Sequence, residues 1–205
     1  MAARRTLLAS LVLACLAQAC YGNVLFSSLQ GTLIVSASSQ PGQVLKAGED
    51  KITVTWRYNQ SFPAGTDSAY KTVQVKLCYA PVSQVDRAWR KTVDNLAKDK
   101  TCQHAITSRP YSPADQSYEW LVQKDVPEAT YFVRAYALNA EGVQVGFGQT
   151  TDKNKTTDLF QVQAITGRHA SLDIASACFS AFSVVSLIGF FIAEKRKAKP
   201  SSASN

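Results

Sequence analysis

Two histidines, five cysteines and two Asn-x-Ser/Thr triplets are the groups in this 205-residue chain with the most obvious capacity for chemistry. His104 and His169 stand far apart, and no Cys, Asp or Glu joins either at the spacing of a zinc site, so no catalytic metal is expected. The chain has no Gly-x-Ser-x-Gly nucleophile turn and no phosphate cradle, and "GVQVGFG" lacks the setting a nucleotide site needs, so its glycines are expected to serve a bulge or turn. Scattered carboxylates offer no acid/base pair. An enzyme is therefore not expected, nor is a cofactor. Cys15 and Cys20 fall in or beside an N-terminal leader and Cys178 in an apolar run, which leaves Cys78 and Cys102 for one disulfide, or for two free thiols. A bridge closing a loop of that length stabilises by roughly 3 kcal/mol in the chain-entropy view. Asn59 in "NQS" and Asn154 in "NKT" are candidate glycosylation acceptors for the same oxidising compartment.

The ends of the chain decide which compartment that is. "MAARR" followed by a short apolar run and small residues reads as a signal peptide over residues 1–22, with cleavage near Ala19 as the neighbouring possibility and an uncleaved anchor as the alternative. Residues 174–193, "IASACFSAFSVVSLIGFFIA", carry no charge and match the roughly 20 residues a helix needs to cross lipid. Lys195, Arg196, Lys197 and Lys199 follow with only Glu194 against them, and such an excess stays cytoplasmic. A type I topology follows, with the preceding domain outside the cell and residues 194–205 as a basic cytoplasmic tail. Much of the formal net charge of +7 belongs to leader and tail, so nucleic acid is not an expected partner and membrane lipid is. One helix cannot enclose an aqueous path. Ser176, Ser180 and Ser183 share one side of it, with Ala177 and Ala181 beside them, and small residues of this kind let another membrane helix approach closely.

Between leader and span, residues 23–157 read as mainly β. "GTLIVSAS", "DKITVTWRYN", "YKTVQVKLCYA", "SYEWLVQKDV", "TYFVRAYALNA" and "VQVGFGQT" are β-branched or aromatic runs punctuated by turn residues, the pattern of an immunoglobulin/fibronectin III-like sandwich. Ile52, Val54 and Trp56 fall on one face of their strand, the expected core side. "VPEATYFVRAYALNAEG" resembles the corner and sixth strand of a fibronectin type III domain at Pro127, Tyr131, Val133, Asn139 and Gly142, which implies a Tyr131 hydroxyl tied to backbone. Residues 158–173 read as a juxtamembrane linker.

One stretch breaks the strand grammar. In "SQVDRAWRKTVDNLAKDKTC", Val85, Trp89, Val93 and Leu96 recur at helical spacing, and Ser83 and Asp86 are placed like a capping box. The spacing predicts a short amphipathic helix, with Asp86/Arg90 and Asp94/Lys98 as ion pairs, either offering a docking surface or covering a sheet edge with Trp89 beneath it.

"NVLFSSLQGTLIVSAS", "PGQVLKAGEDKITVTW", "VKLCYAPVSQVDRAWRKTV", "TYFVRAYAL" and "ITGRHASLDIASACFSAFSVVSLIGFFIAEKRKAK" together resemble the plant high-affinity nitrate transporter-activating family. The resemblance implies an accessory subunit at the plasma membrane that binds, stabilises and activates a multi-spanning nitrate transporter of the major facilitator type without moving nitrate itself. It further implies partner contact in the central region, carried onto Arg90 and Asp99; Trp89 from the insert and Ser176, Ser180 and Ser183 from the span join them as candidate partner contacts on the residue reading alone. The alternative is an independent surface receptor or adhesion module whose sandwich binds a ligand.

Overall fold

The computed structural model describes residues 24–167 and 169–197, so the expected leader and the end of the basic tail lie outside the described residues. Period-two alternation of β-branched and aromatic residues builds β1 (Leu33–Ala37), β2 (Val44–Lys46), β3 (Lys51–Tyr58), β4 (Thr72–Tyr79), β5 (His104–Pro110), β6 (Gln116–Leu121), β7 (Ala129–Leu138), β8 (Gln144–Gln149) and β9 (Phe160–Gln163). Strands β1, β3 and β6 form a three-stranded sheet, and the larger sheet runs β2-β9-β7-β4-β5, with β8 pairing the second half of β7. All pairs are antiparallel except β2 with β9.

The core lies between the sheets. Ile52, Val54 and Trp56 of β3 face Val73, Val75 and Leu77 of β4 and Tyr131, Val133 and Ala135 of β7 in one buried cluster. Trp56 keeps its polar atom satisfied by donating from Nε1 to Gln116 Oε1 at 2.8 Å. The expected corner is present: the Tyr131 hydroxyl donates to the Pro127 carbonyl at 2.6 Å, and Asn139 Oδ1 accepts from the Glu141 and Val143 amides while Gly142 turns at φ 74°. Glycines in β8 serve close approach rather than a turn. A Cβ on Gly148 would meet the Leu33 carbonyl oxygen at 2.2 Å, so β1 and β8 close one side of the sandwich only because that residue lacks a side chain. A bulge does occur beside it, between Ala137 and Leu138.

Two expectations need correction. Strand β9 lies in the stretch read as linker, because Phe160 and Val162 are buried and β9 bridges β2 to β7. The insert after β4 is not an amphipathic α-helix. It consists of two 3-10 turns, Pro81–Ser83 and Ala88–Arg90, separated at Asp86, whose φ of 57° is incompatible with a continuing right-handed helix.

Beyond the sandwich the chain forms a separate unit. Its helix α1 (Ala170–Lys197) runs further than the expected span at both ends, has a mean hydropathy of 2.0 over its most apolar window and is long and apolar enough to cross a membrane.

Candidate interaction surface around the disulfide loop

Strand β4 ends at Tyr79, and the chain leaves it through a loop that returns at Cys102 to start β5. Cys78 and Cys102 are bonded, with sulfurs 2.03 Å apart and Cα atoms 4.0 Å apart, so both ends of the loop are fixed at one point of the larger sheet. Inside it, short polar side chains replace the helical ladder. Gln84 accepts from the Thr92 amide and hydroxyl and donates to the Tyr79 carbonyl, and Ser83 Oγ accepts from the Thr130 amide at 2.7 Å. The apolar spacing that suggested a helix arises because Val85 and Trp89 point outward from successive turns while Val93 and Leu96 sit half-buried further on.

Arg90 and Trp89 are neighbours with opposite fates. Arg90 is only 6 % exposed: its guanidinium stacks over the Tyr79 ring, 4.3 Å from the centroid, and Nη1 donates to the Ser83 carbonyl at 3.3 Å. Trp89 is 63 % exposed, the reverse of burial beneath a helix, and Gln103 donates to its carbonyl at 2.6 Å to hold its backbone in place. Asp99 turns into the loop, where Oδ1 accepts from the Val93 and Thr101 amides at 3.1 and 3.2 Å and from the Thr101 hydroxyl at 2.6 Å. Neither expected ion pair forms. Asp94 instead accepts from the Ser27 amide and hydroxyl, both at 2.8 Å, which ties the N-terminal segment to the loop. Arg90 and Asp99 therefore shape the loop from within, and Trp89 is what the loop presents.

The presented surface continues past Trp89. Val82, Val85 and, on the edge strand β2, Val44 are exposed as well. Val44 also lines a groove of about 610 Å³, together with Ser83 and Arg87 of the loop and Glu128, Gln161 and Gln163. A second hollow of about 620 Å³ shares Thr130 and Gln161 with it and has Val82 on its wall. Beneath the loop, His104 packs edge to face against Tyr79 and Tyr131, whose own rings are tilted by 31°, and the Tyr79 hydroxyl lies 3.2 Å from His104 Nε2. Burial pushes the His104 pKa below the ordinary histidine value, Asp125 pulling it up and Arg90 pushing it down.

The other expected residues lie elsewhere. Asn59 follows β3, half-buried, with Oδ1 accepting from the Ser61 amide at 3.1 Å, and Asn154 is exposed in the turn after β8. Ser176, Ser180 and Ser183 lie along one side of α1; Ser176 and Ser183 donate to the carbonyls of Asp173 and Phe179, one turn back in their own helix. Among the described residues no group of three or more His, Cys, Asp or Glu is arranged to hold a metal. Sequence reasoning missed Arg134, a charge at the centre of the apolar run "YFVRAYAL" and 1 % exposed in the folded chain. That interruption was the available signal.

The family described as high-affinity nitrate transporter accessory, Ig-like domain, matches residues 26–167. High-affinity nitrate transporter 3.1 of Arabidopsis thaliana is 52 % identical over 206 residues, covering 97 % of this chain and 98 % of the relative. High-affinity nitrate transporter-activating protein 2.1 of Oryza sativa subsp. japonica is 48 % identical over 174 residues, covering 85 % of this chain and 82 % of the relative.

Proposed function

The chain belongs to the family of high-affinity nitrate transporter accessory proteins, and from that premise we propose that it binds, stabilises and activates a multi-spanning nitrate transporter of the major facilitator type. It is a membrane-anchored accessory protein and not an enzyme. It reaches the plasma membrane behind a cleaved signal peptide, with the sandwich outside the cell, one span and a basic cytoplasmic tail, as the Lys195, Arg196 and Lys197 excess after the apolar run favours. Asn59 and Asn154 are its candidate glycan acceptors.

The observation that carries the reading is the division of labour in the disulfide loop. A buried Arg90 and an internally bonded Asp99 frame a loop that presents an exposed Trp89 and whose Ser83 and Arg87 line a groove, which is the anatomy of an aromatic anchor set by a rigid frame. Association lowers the free energy of the assembled pair relative to the lone transporter, so more transporter persists in a competent state. Loss of Arg90 or Asp99 weakens the pairing by loosening the frame rather than by removing a direct contact. The test is co-expression: nitrate influx that requires both chains, with the two co-purifying, is the expected result. Influx indifferent to this chain would sink the reading.

A further inference from the structure

The outer face of the larger sheet holds more positive charge than the protein neutralises. The Arg134 guanidinium lies 4.2 Å from the Phe26 ring centroid and within 5.9 Å of those of Phe132, Tyr136 and Phe147. Its hydrogen bonds go to neutral groups: Nε and Nη2 donate to Gln149 Oε1 at 3.2 and 2.9 Å, and Nη1 to the Tyr136 hydroxyl at 3.1 Å. Lys76 is its partner across the β4–β7 ladder, so the two side chains share one face. Lys155 stands in the turn after β8, and Gln149 ties that turn to Arg134 by donating to the Thr151 and Asp152 carbonyls. Among the described residues, no carboxylate comes within 4.0 Å of any of the three cations.

Both lysines are half-buried, and burial lowers both pKa values; Arg134 lowers that of Lys155 further. Asp99 opposes the shift at each, yet its Oδ1 already accepts three hydrogen bonds within the loop. Buried cations are ordinarily paired, and here a fully buried guanidinium and two half-buried ammonium groups have no carboxylate at ion-pair distance among the described residues. Neither lysine ammonium has a hydrogen-bond partner among the described residues, so both retain the donors that an incoming anion needs.

We propose that Lys76 and Lys155, backed by Arg134, form a binding site for a small planar monovalent oxyanion, nitrate being the anion that the accessory reading supplies. The lysines donate hydrogen bonds, and the buried guanidinium adds a fixed positive potential in a partly desolvated setting, where charges are poorly screened. Half-dry ammonium groups beside an aromatic-enclosed guanidinium suit an anion that sheds water readily. They disfavour sulfate, whose double charge makes desolvation far more costly.

The test uses the purified full chain in detergent, followed by thermal melting at fixed ionic strength in nitrate, chloride or sulfate. Nitrate raises the midpoint saturably, by roughly 5–10 °C at a hundredfold excess over its dissociation constant. Lys76→Gln and Lys155→Gln each weaken that response at least tenfold, while Lys98→Gln, on the exposed surface, leaves it unchanged. A nitrate shift no larger than chloride's, or one that survives both lysine changes, overturns the proposal. Co-purification with the transporter is measured in parallel. If the wild-type chain ignores nitrate but the lysine variants lose the transporter, the cations serve a partner carboxylate and the free-anion site is overturned. If the nitrate response stands while the wild-type chain fails to bind the transporter, the accessory reading falls and the site remains.

Discussion

The corner and turn that bracket β7 and the loop that follows β4 are all irregular, all adjoin the larger sheet, and are held in different ways. Those at β7 are tied by contacts four residues apart or closer: Tyr131 to the Pro127 carbonyl at its start, and Asn139 to the amides at 141 and 143 after its end. The loop is tied from a distance. Its fastenings are the Cys78–Cys102 bridge, Arg90 over Tyr79, and Asp94 bonded to Ser27, 67 positions away. A locally tied segment keeps its shape when its surroundings loosen, whereas a segment tied at a distance depends on every fastening at once. The partner-facing surface belongs to the second kind.

Cutting the strongest distant tie gives the largest effect. Cys102→Ser costs about 3 kcal/mol by the loop-entropy argument, a fall of roughly 10 °C in a thermal melt, and loosens the loop enough to lose transporter co-purification. Reductant on the wild-type chain reproduces the fall. If the bridge is broken and the pull-down is unchanged, the loop's shape does not matter to the partner.

Arg90→Gln comes next, at about 1–3 kcal/mol, because it removes the stack on Tyr79 and leaves the Ser83 carbonyl without its donor. Tyr131→Phe is the matching cut at the corner. It removes the hydrogen bond to the Pro127 carbonyl, costs about 1 kcal/mol, and leaves co-purification intact, since the Tyr131 ring still packs on Tyr79 and the Arg90 stack is untouched. Equal losses of binding from both variants would erase the contrast between the segments.

How legible each segment is in the sequence follows from the same difference. Pro127, Tyr131, Asn139 and Gly142 announce the corner because all its partners sit inside seventeen consecutive residues. The six expected strands are found for the same reason, since alternation is a local pattern. The loop misleads because Val85, Trp89, Val93 and Leu96 mimic helical spacing, while Asp86 in the left-handed region, Ser27 and the buried Arg90 leave no local trace. Strands β2, β5 and β9 are not among the expected runs: β2 and β9 are short and pair with each other far along the chain, and β5 follows directly on the misread loop, mostly polar or exposed, and forms by pairing with β4. Arg134 is legible as an anomaly, but its neutral partners and aromatic enclosure are visible only once β7 and β8 are side by side.

Acidification probes the loop's foundation more gently. Because the folded chain holds His104 below its ordinary value of 6.5, neutral imidazole is favoured on folding. The stability this contributes is complete above pH 6.5 and is lost as pH falls below that value toward the lowered folded pKa. His104→Gln flattens that part of a stability–pH curve. Asp152 acts in a separate window: the Thr156 amide and its neighbours hold its carboxyl down to about 2, so its contribution disappears only below pH 3.8. A wild-type curve without a slope between pH 5 and 6.5 would remove His104 from the loop's support.

The smallest effect on stability belongs to the residue with the largest expected effect on binding. Trp89 is mostly exposed, and its backbone rather than its ring is what Gln103 holds, so Trp89→Ala shifts unfolding by no more than about 0.5 kcal/mol. Because Trp89 is the aromatic anchor the loop presents, the same truncation costs the complex about 2 kcal/mol or more, close to a thirtyfold loss of affinity for the transporter. The two measurements separate presentation from support: Arg90→Gln moves both, whereas Trp89→Ala moves binding alone. If Trp89→Ala leaves affinity unchanged while Arg90→Gln abolishes it, the partner reads a different part of the surface that the loop frames, and Val44 and Val82, on the walls of the two hollows that share Thr130 and Gln161, are the positions to truncate next.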